Sequence, residues 1–377
     1  MVDKRKFKDV KVSLLGLGTM RLPCETEQKR ESNPNIDYEK ARKLVDLAYK
    51  NGVNYYDTAY MYHCGKSEKF IGQALKKYPR NTYFIADKLP IWMCDTKEDM
   101  QRIFANQLER TGIEYFDFYL LHSLDKENFE KCEELGAYDF IKQKQKEGKI
   151  KYIGFSFHGT VDDLRHIVSA HDWDFAQIQM NYLDWENQNA KMQYQILEDA
   201  NIPTIVMEPV RGGKLALVNN EIKDMFKSKK PNMSVASWAM SFVASHKNII
   251  TILSGMNSEE QMLDNLSTLT NFKAFGDDEY SICFKAASIL NKSEVIGCTG
   301  CDYCQPCPKG IKISSFFSLY NSVVSGDVNI QQGREVYDSF AVNPTACAWC
   351  NKCKNHCPQS ISVPDVLEGK VIKLFMR

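Results

Sequence analysis

The sequence predicts an α/β protein, a closed (β/α)8 TIM barrel followed by a small, partly helical, cysteine-rich domain. Three observations lead there. Eight β-rich runs alternate with amphipathic stretches over about 260 residues, the size and grammar of a closed barrel. The chain has 377 residues, above the roughly 250–300 that a single core supports, so two domains are expected. Eight of thirteen cysteines fall in two late runs, CTGCDYCQPCP from Cys298 and CAWCNKCKNHCP from Cys347. The expected division is residues 1–275 for the barrel and 276–377 for the cysteine domain.

The strands are read in VSLLGLG, VNYYDTA, TYFIADKL, YFDFYLLH, KYIGFSF, FAQIQMN, PTIVMEP and IITILSG. Helices are expected over 38–51, 67–77, 97–110, 137–147, 161–171, 190–200, 235–246 and 259–266, each with apolar residues at helical spacing and a Gly, Asn or His near its end. A doubly wound open sheet is the alternative. It calls for a glycine-rich phosphate loop after an early strand, and GLGTM lacks the third glycine. Residues 271–278 read as a linker and 279–292 as one more helix.

Composition narrows the function. Hydrophobic residues at 44% and charged residues at 25% suit a globular protein. Lys+Arg and Asp+Glu balance at 48 each, which favours neither nucleic acid nor an anionic membrane. No apolar run approaches the ~18–20 residues of a membrane span. The start, MVDKRKFKDV, lacks the apolar core of a signal peptide, so a cytoplasmic location is expected. Cysteines this numerous then point to metal rather than disulfides.

In such a barrel the chemistry sits at the carboxyl ends of the strands. Those ends offer Asp57, Lys88 and His122, and Tyr62 follows Asp57 by five residues. Singly, each has an ordinary reading: a strand-end Asp or His as a turn or cap, a solvated Lys, a packed ring among Tyr55, Tyr56 and Tyr60. Four on three successive strands suit the protonation of a carbonyl oxygen. A phenol holds its proton at neutral pH, a nearby ammonium eases its release, and a carboxylate steadies the ammonium. A histidine can orient the carbonyl.

The runs LGLGTMRLP, NYYDTAYMYHCGKSEKFIGQAL, DKLP, LLH and MEPVRGGKLA resemble the aldo/keto reductase family over about residues 5–270. The resemblance implies a barrel that binds NADP(H) or NAD(H) without a Rossmann fold and reduces an aldehyde or ketone by hydride transfer. It implies a catalytic tetrad of Asp57, Tyr62, Lys88 and His122, with Tyr62 as general acid. It also implies cofactor contacts at Gly18, Thr19, Met20, Ser156, Gln177, Met207, Pro209, Arg211, Gly255, Asn257, Gln261 and Asn265, with Asn181 close to Gln177. Phe157 stands where relatives carry asparagine, and Met207 where many stack a tyrosine. In ILSGMNSEEQMLDNL the cations that grip a 2′-phosphate are replaced by Met256, Asn257 and Gln261, so the choice between NADPH and NADH stays open, with a lean to NADPH from family habit.

The run Cys347-x2-Cys350-x2-Cys353-x3-Cys357-Pro358 matches the bacterial ferredoxin pattern, in which three cysteines hold one [4Fe–4S] cluster and the fourth crosses to another. The run Cys298, Cys301, Cys304, Cys307 is one residue shorter before its last cysteine, which moves only the crossing ligand. Crossing pairs Cys298, Cys301 and Cys304 with Cys357, and Cys347, Cys350 and Cys353 with Cys307. A single cluster with spare cysteines and a structural zinc are the alternatives. Cysteines 24, 64, 94, 132 and 283 read as plain thiols. The tail resembles the ferredoxin-type extension of one branch of the family, with a helical insertion between its motifs.

The leading expectation is an NAD(P)H-dependent carbonyl reductase acting on a small carbonyl or alcohol. The alternatives are an electron-transfer protein serving a ferredoxin-like partner, and a nicotinamide-sensing regulatory subunit. The first needs a flavin motif that the sequence does not offer, and the second has no need of Tyr62 with Lys88.

Overall fold

The computed structural model describes residues 1–25, 35–292 and 294–376. Two compact units divide it: Met1–Val210 with Leu215–Ala287, and Arg211–Lys214 with Ser288–Arg377. The division therefore falls inside a helix rather than at residue 275, and four residues from the middle of the chain join the second unit.

The first unit opens with a hairpin, β1 (Lys4–Phe7) and β2 (Val10–Ser13), paired antiparallel. The stretch VSLLGLG splits at Leu14, giving its first part to the hairpin and its second to β3 (Leu15–Gly18). Seven parallel strands follow: β4 (Tyr55–Asp57), β5 (Phe84–Leu89), β6 (Phe116–Leu124), β7 (Ile150–Phe157), β8 (Phe175–Gln179), β9 (Thr204–Met207) and β10 (Ile249–Ser254). They pair in chain order, and β10 returns to β3, which closes the barrel and excludes the open sheet. The apolar strands are buried on both faces, as helix-covered parallel strands must be.

The hairpin contributes Phe7 and Val12 to the barrel's inner cluster with Tyr55, Phe118, Tyr152 and Phe175. Phe7 meets Phe118 at 5.3 Å and Tyr152 edge-on at 4.9 Å between ring centroids. The barrel interior is thus packed with rings at this level, and polar strand residues are left for the other end.

Outer helices α1 (Tyr38–Lys50), α2 (Ser67–Leu75), α3 (Lys97–Thr111), α4 (Lys126–Leu135), α5 (Ala137–Lys146), α6 (Val161–Ala170), α7 (Asp184–Asn187), α8 (Ala190–Asp199), α9 (Asn220–Lys229), α10 (Val235–Ala244) and α11 (Glu259–Thr268) cover the strands. Their starts are set by side-chain caps. Thr96 and Thr160 form reciprocal boxes with Asp99 and Asp163, while Asp37, Asp125, Asn219, Ser234 and Ser258 cap singly. Helices α4, α7 and α9 are additional to those that the sequence periodicity predicts. The helix α12 (Asp277–Asn291) begins two residues earlier than expected.

The second unit packs α13 (Ile313–Val324) and α14 (Ile330–Asp338) around Phe316, Phe317, Tyr320, Tyr337 and Phe375. Among the described residues, no helix is long and apolar enough to cross a membrane.

Close approach of α2 to α3 requires a glycine. A Cβ on Gly72 would stand 1.9 Å from the Thr111 carbonyl oxygen. G72A is expected to lose about 1–3 kcal/mol through overpacking, seen as a lower urea midpoint at an unchanged denaturant slope.

Candidate active site

Asp57 is the last residue of β4 and Lys88 the penultimate residue of β5, two strands paired in parallel with Asp57 opposite Ala86. Both side chains are sealed from solvent, at 4% and 0% exposure. Lys88 Nζ donates to Asp57 Oδ1 at 2.7 Å and to the Thr58 carbonyl at 2.7 Å. Its ammonium lies 5.0 Å from the centre of the Tyr62 ring, and Tyr62 meets His122 edge-on at 6.4 Å. His122 comes from β6, so three successive strand ends deliver one cluster. The four residues singled out in the sequence are brought together.

Burial pushes the Asp57 carboxyl up from its ordinary value, against the opposing pull of Lys88. The His122 imidazole is pushed well below its ordinary value by burial first, then by the Lys88 ammonium and His158. It is therefore neutral at neutral pH and can hydrogen-bond a carbonyl without bringing a second full charge beside Lys88. Its Nδ1 is buried with no hydrogen-bond partner among the described residues.

A second layer steadies Lys88 from its backbone. Asp87 Oδ1 accepts from the Lys88 amide at 2.8 Å, and Gln107 Nε2 donates to the Lys88 carbonyl at 2.9 Å. Tyr119 in turn donates to Gln107 Oε1 at 2.5 Å, and Arg110 donates to Glu68 at 2.9 Å. Asp87 Oδ2 and Glu68 Oε1 are buried with no hydrogen-bond partner among the described residues. Burial raises both carboxyls, and for Asp87 the neighbouring Glu68 adds to the rise.

The remaining predicted positions line the same strand ends with different degrees of freedom. Gly18 closes β3. Thr19 donates to the Asp57 carbonyl at 2.8 Å and lies 2.6 Å from Ser67 Oγ, and half-buried Met20 follows. Ser156 on β7 accepts from the Ser123 amide at 2.7 Å and sits opposite Gln177 on β8. Gln177 Nε2 reaches Met207 Sδ at 3.4 Å, while its Oε1 is buried and has no donor among the described residues. Pro209 follows Met207 and Glu208. Gly255 follows β10, and a Cβ there would meet the Arg21 side chain at 3.1 Å.

Other expected contacts are engaged within the protein. Gln261 accepts from the Asn257 amide at 3.0 Å, and Asn265 donates to Ser254 at 3.0 Å. Asn181 donates its amide to Asp184 and to the Glu208 carbonyl. Arg211 does not belong to the barrel unit at all. Glu208 and Arg211 both adopt positive φ, and Gly212 and Gly213 continue that left-handed turn, so the chain leaves the strand direction there.

Two features escaped sequence reading. Arg21 and Glu208 form an ion pair at 2.7 Å between the segments after β3 and β9. Trp92, partly exposed after β5, lies 5.0 Å from His122 between ring centroids. Tryptophan in KLPIWM was the visible signal for the second; a pair 187 residues apart left none.

In the second unit, Cys304, Cys307, Cys347, Cys350 and Cys353 line one cavity with Ile311, Ile313, Pro364 and Leu367. Burial pushes the Cys353 thiol up, with Cys347 and Cys307 adding to the push. Burial likewise raises Cys304, whose sulfur neighbours are Cys301, Cys298 and Cys357. Among the described residues, no three His, Cys, Asp or Glu side chains converge at metal-ligating geometry.

A closed parallel barrel with a buried lysine–carboxylate pair, a tyrosine and a neutral histidine at its strand ends defines a barrel oxidoreductase. The profile of the aldo/keto reductase family matches residues 14–287, and the chain belongs to that family. It is 26% identical over 304 residues to an NADH-specific methylglyoxal reductase of Escherichia coli strain K12, spanning 69% of this chain and 91% of that one. It is 22% identical over 295 residues to an L-galactose dehydrogenase of Arabidopsis thaliana, spanning 72% and 89%. The fold is shared with an aldo-keto reductase of Bacillus halodurans in its holo form, at TM-score 0.60 and 22% identity over 76% of this chain and 96% of that one. It is shared equally with a Klebsiella pneumoniae aldo-keto reductase in complex with NADPH, at TM-score 0.59 and 20% identity over 76% and 95%.

Because His122 is held neutral by burial, its folded pKa lies below its unfolded value near 6.5. Its contribution to stability is full above that value and is lost as pH falls through it. Between pH 6.5 and 5, the unfolding free energy of H122Q should fall less steeply than that of the native chain. The difference should approach about 1.4 kcal/mol per pH unit in urea titrations.

Proposed function

We propose that this enzyme reduces an aldehyde or ketone at the barrel mouth, with Tyr62 as the general acid. The observation that carries this is the sealed Lys88–Asp57 pair at 2.7 Å with its ammonium 5.0 Å from the Tyr62 ring. A nicotinamide cofactor supplies the hydride. Tyr62 gives its proton to the oxygen of the carbonyl as negative charge gathers there. Lys88 stabilises the phenolate left behind, and Asp57 holds the Lys88 ammonium in place. Neutral His122 donates a hydrogen bond to the same oxygen and orients the carbonyl.

The mouth has the complement a nicotinamide needs. The orphaned Gln177 Oε1 would accept from a carboxamide N–H, and the Ser156 hydroxyl retains its proton for the carboxamide oxygen. Gly18, Thr19, Met20, Met207, Pro209 and Gly255 lie at the same strand ends and would flank the ring and its ribose. Asn257, Gln261 and Asn265 would border the far end of the nucleotide. No cation comes from 256–261, and the relatives' names include both an NADH-specific enzyme and an NADPH complex, so the reading is NAD(P)H.

We further propose that the second unit is a ferredoxin-like domain holding two [4Fe–4S] clusters. Cys298, Cys301, Cys304 and Cys357 would ligate one, and Cys347, Cys350, Cys353 and Cys307 the other. Support comes from the crossed sulfur neighbourhoods and from the soft thiol donors set in an apolar wall.

Y62F should lose about 100- to 10,000-fold in kcat with an aldehyde panel and NADH or NADPH, while still binding the nucleotide. Unchanged turnover would remove Tyr62 from its role. Anaerobically purified protein should carry about eight iron and eight sulfide per chain, against about four for a single cluster.

A further inference from the structure

The second unit takes four residues, Arg211-Gly212-Gly213-Lys214, from the middle of the chain. Their fit within that unit is close. A Cβ on Gly212, whose φ is +66°, would stand 2.7 Å from the Thr299 carbonyl oxygen. A Cβ on Gly297 would meet the Arg211 guanidinium at 3.2–3.3 Å. Lys214 Nζ donates to the Ile296 carbonyl, two residues before Cys298. The glycines let the backbone lie against Thr299, and the two cations emerge on either side of it.

Their placement is specific to one cysteine set. Lys214 lies within electrostatic reach of Cys298, and Arg211 within reach of Cys357. These are the first cysteine of the CTGCDYCQPCP run and the ligand that crosses back to it. The other set has Lys309, Lys352 and Lys354 near it in sequence, and all three are exposed. Arg211 and Lys214 are half-buried, so water and salt screen them less.

We propose that Arg211 and Lys214 set the reduction potential of the cluster held by Cys298, Cys301, Cys304 and Cys357, raising it above what the same cysteines would give alone. This rests on the two-cluster reading. Four thiolates leave a cluster site net negative, and adding an electron makes it more so. Cations fixed beside the sulfurs stabilise the reduced state over the oxidised one, one of the levers that set such potentials. The Arg211 loop, which the family resemblance gives to the nicotinamide, would then serve the cluster instead.

The test uses the full chain, purified anaerobically and titrated with dithionite under EPR, after iron and sulfide are counted. K214M and R211M should each lower one of the two midpoints and leave the other in place. A tenfold fall in the reduced-to-oxidised ratio at fixed ambient potential, about 59 mV for a one-electron couple, is expected for each. K214R and R211K should keep the native midpoints. Fully loaded variants with both midpoints unmoved would overturn the proposal. So would R211M raising the KM for the nucleotide with both midpoints in place, which would return Arg211 to the cofactor. Iron lost from K214M and not restored in K214R would make the residue purely structural and overturn it too. Native protein without iron would instead remove the two-cluster reading, and this inference with it.

Discussion

An ammonium and a carboxylate buried together beside a phenol are the constraint around which the barrel is organised. Isolated, either charge would cost several kcal/mol to take out of water, and their attraction offsets this only with close geometry and satisfied donors. The closed barrel supplies both. Parallel pairing of β4 with β5 brings Asp57 and Lys88 to neighbouring strand ends, and the Thr58 carbonyl accepts a second hydrogen bond from the ammonium. Behind them, Asp87 and Gln107 hold the Lys88 backbone, and Glu68 with Arg110 closes the layer. Loosening any of these parts would let the ammonium drift from Tyr62.

The same burial explains why the histidine is neutral. Beside a fixed ammonium and away from water, an imidazolium would be a second cation with no counter-ion, so His122 is held as a neutral hydrogen-bonding group. One charge of each sign, one phenol and one neutral imidazole together make a site able to move a proton without a net charge to hide. The cysteine unit follows another logic: a small ring-rich core around Phe316, Tyr337 and Phe375 holds the chain segments that carry the thiols.

How much of this was legible depends on whether the determining interactions are local. All eight barrel strands were readable, because residues such as Tyr55, Phe118 and Ile252 make continuous apolar runs ended by polar strand tips. Asp57, Lys88 and His122 could be grouped for the same reason, since strand ends place their side chains by position, and the structure gathers them with Tyr62. The β1–β2 hairpin was not, because KRKFKDVKVS alternates mostly through lysines and buries few apolar side chains, Phe7 and Val12 with Val10 beside them, against the core. Helix α4 was hidden by its run of Glu and Lys around Phe129 and Cys132. That Arg211 falls in the second unit was not legible, because positive φ at Glu208, Arg211 and the two glycines redirects the chain, and composition does not encode that turn. The Arg21–Glu208 pair joins segments distant in sequence, so only closure of the barrel reveals it.

The most direct test of the organising pair is a double-mutant cycle on turnover, comparing D57N, K88M and the combined variant with the native enzyme on one aldehyde. If Asp57 acts by holding the Lys88 ammonium against Tyr62, removing it after Lys88 is gone has nothing further to disturb, and the double variant should be no slower than K88M. Losses that multiply would mean that the two residues act independently and would contradict the account.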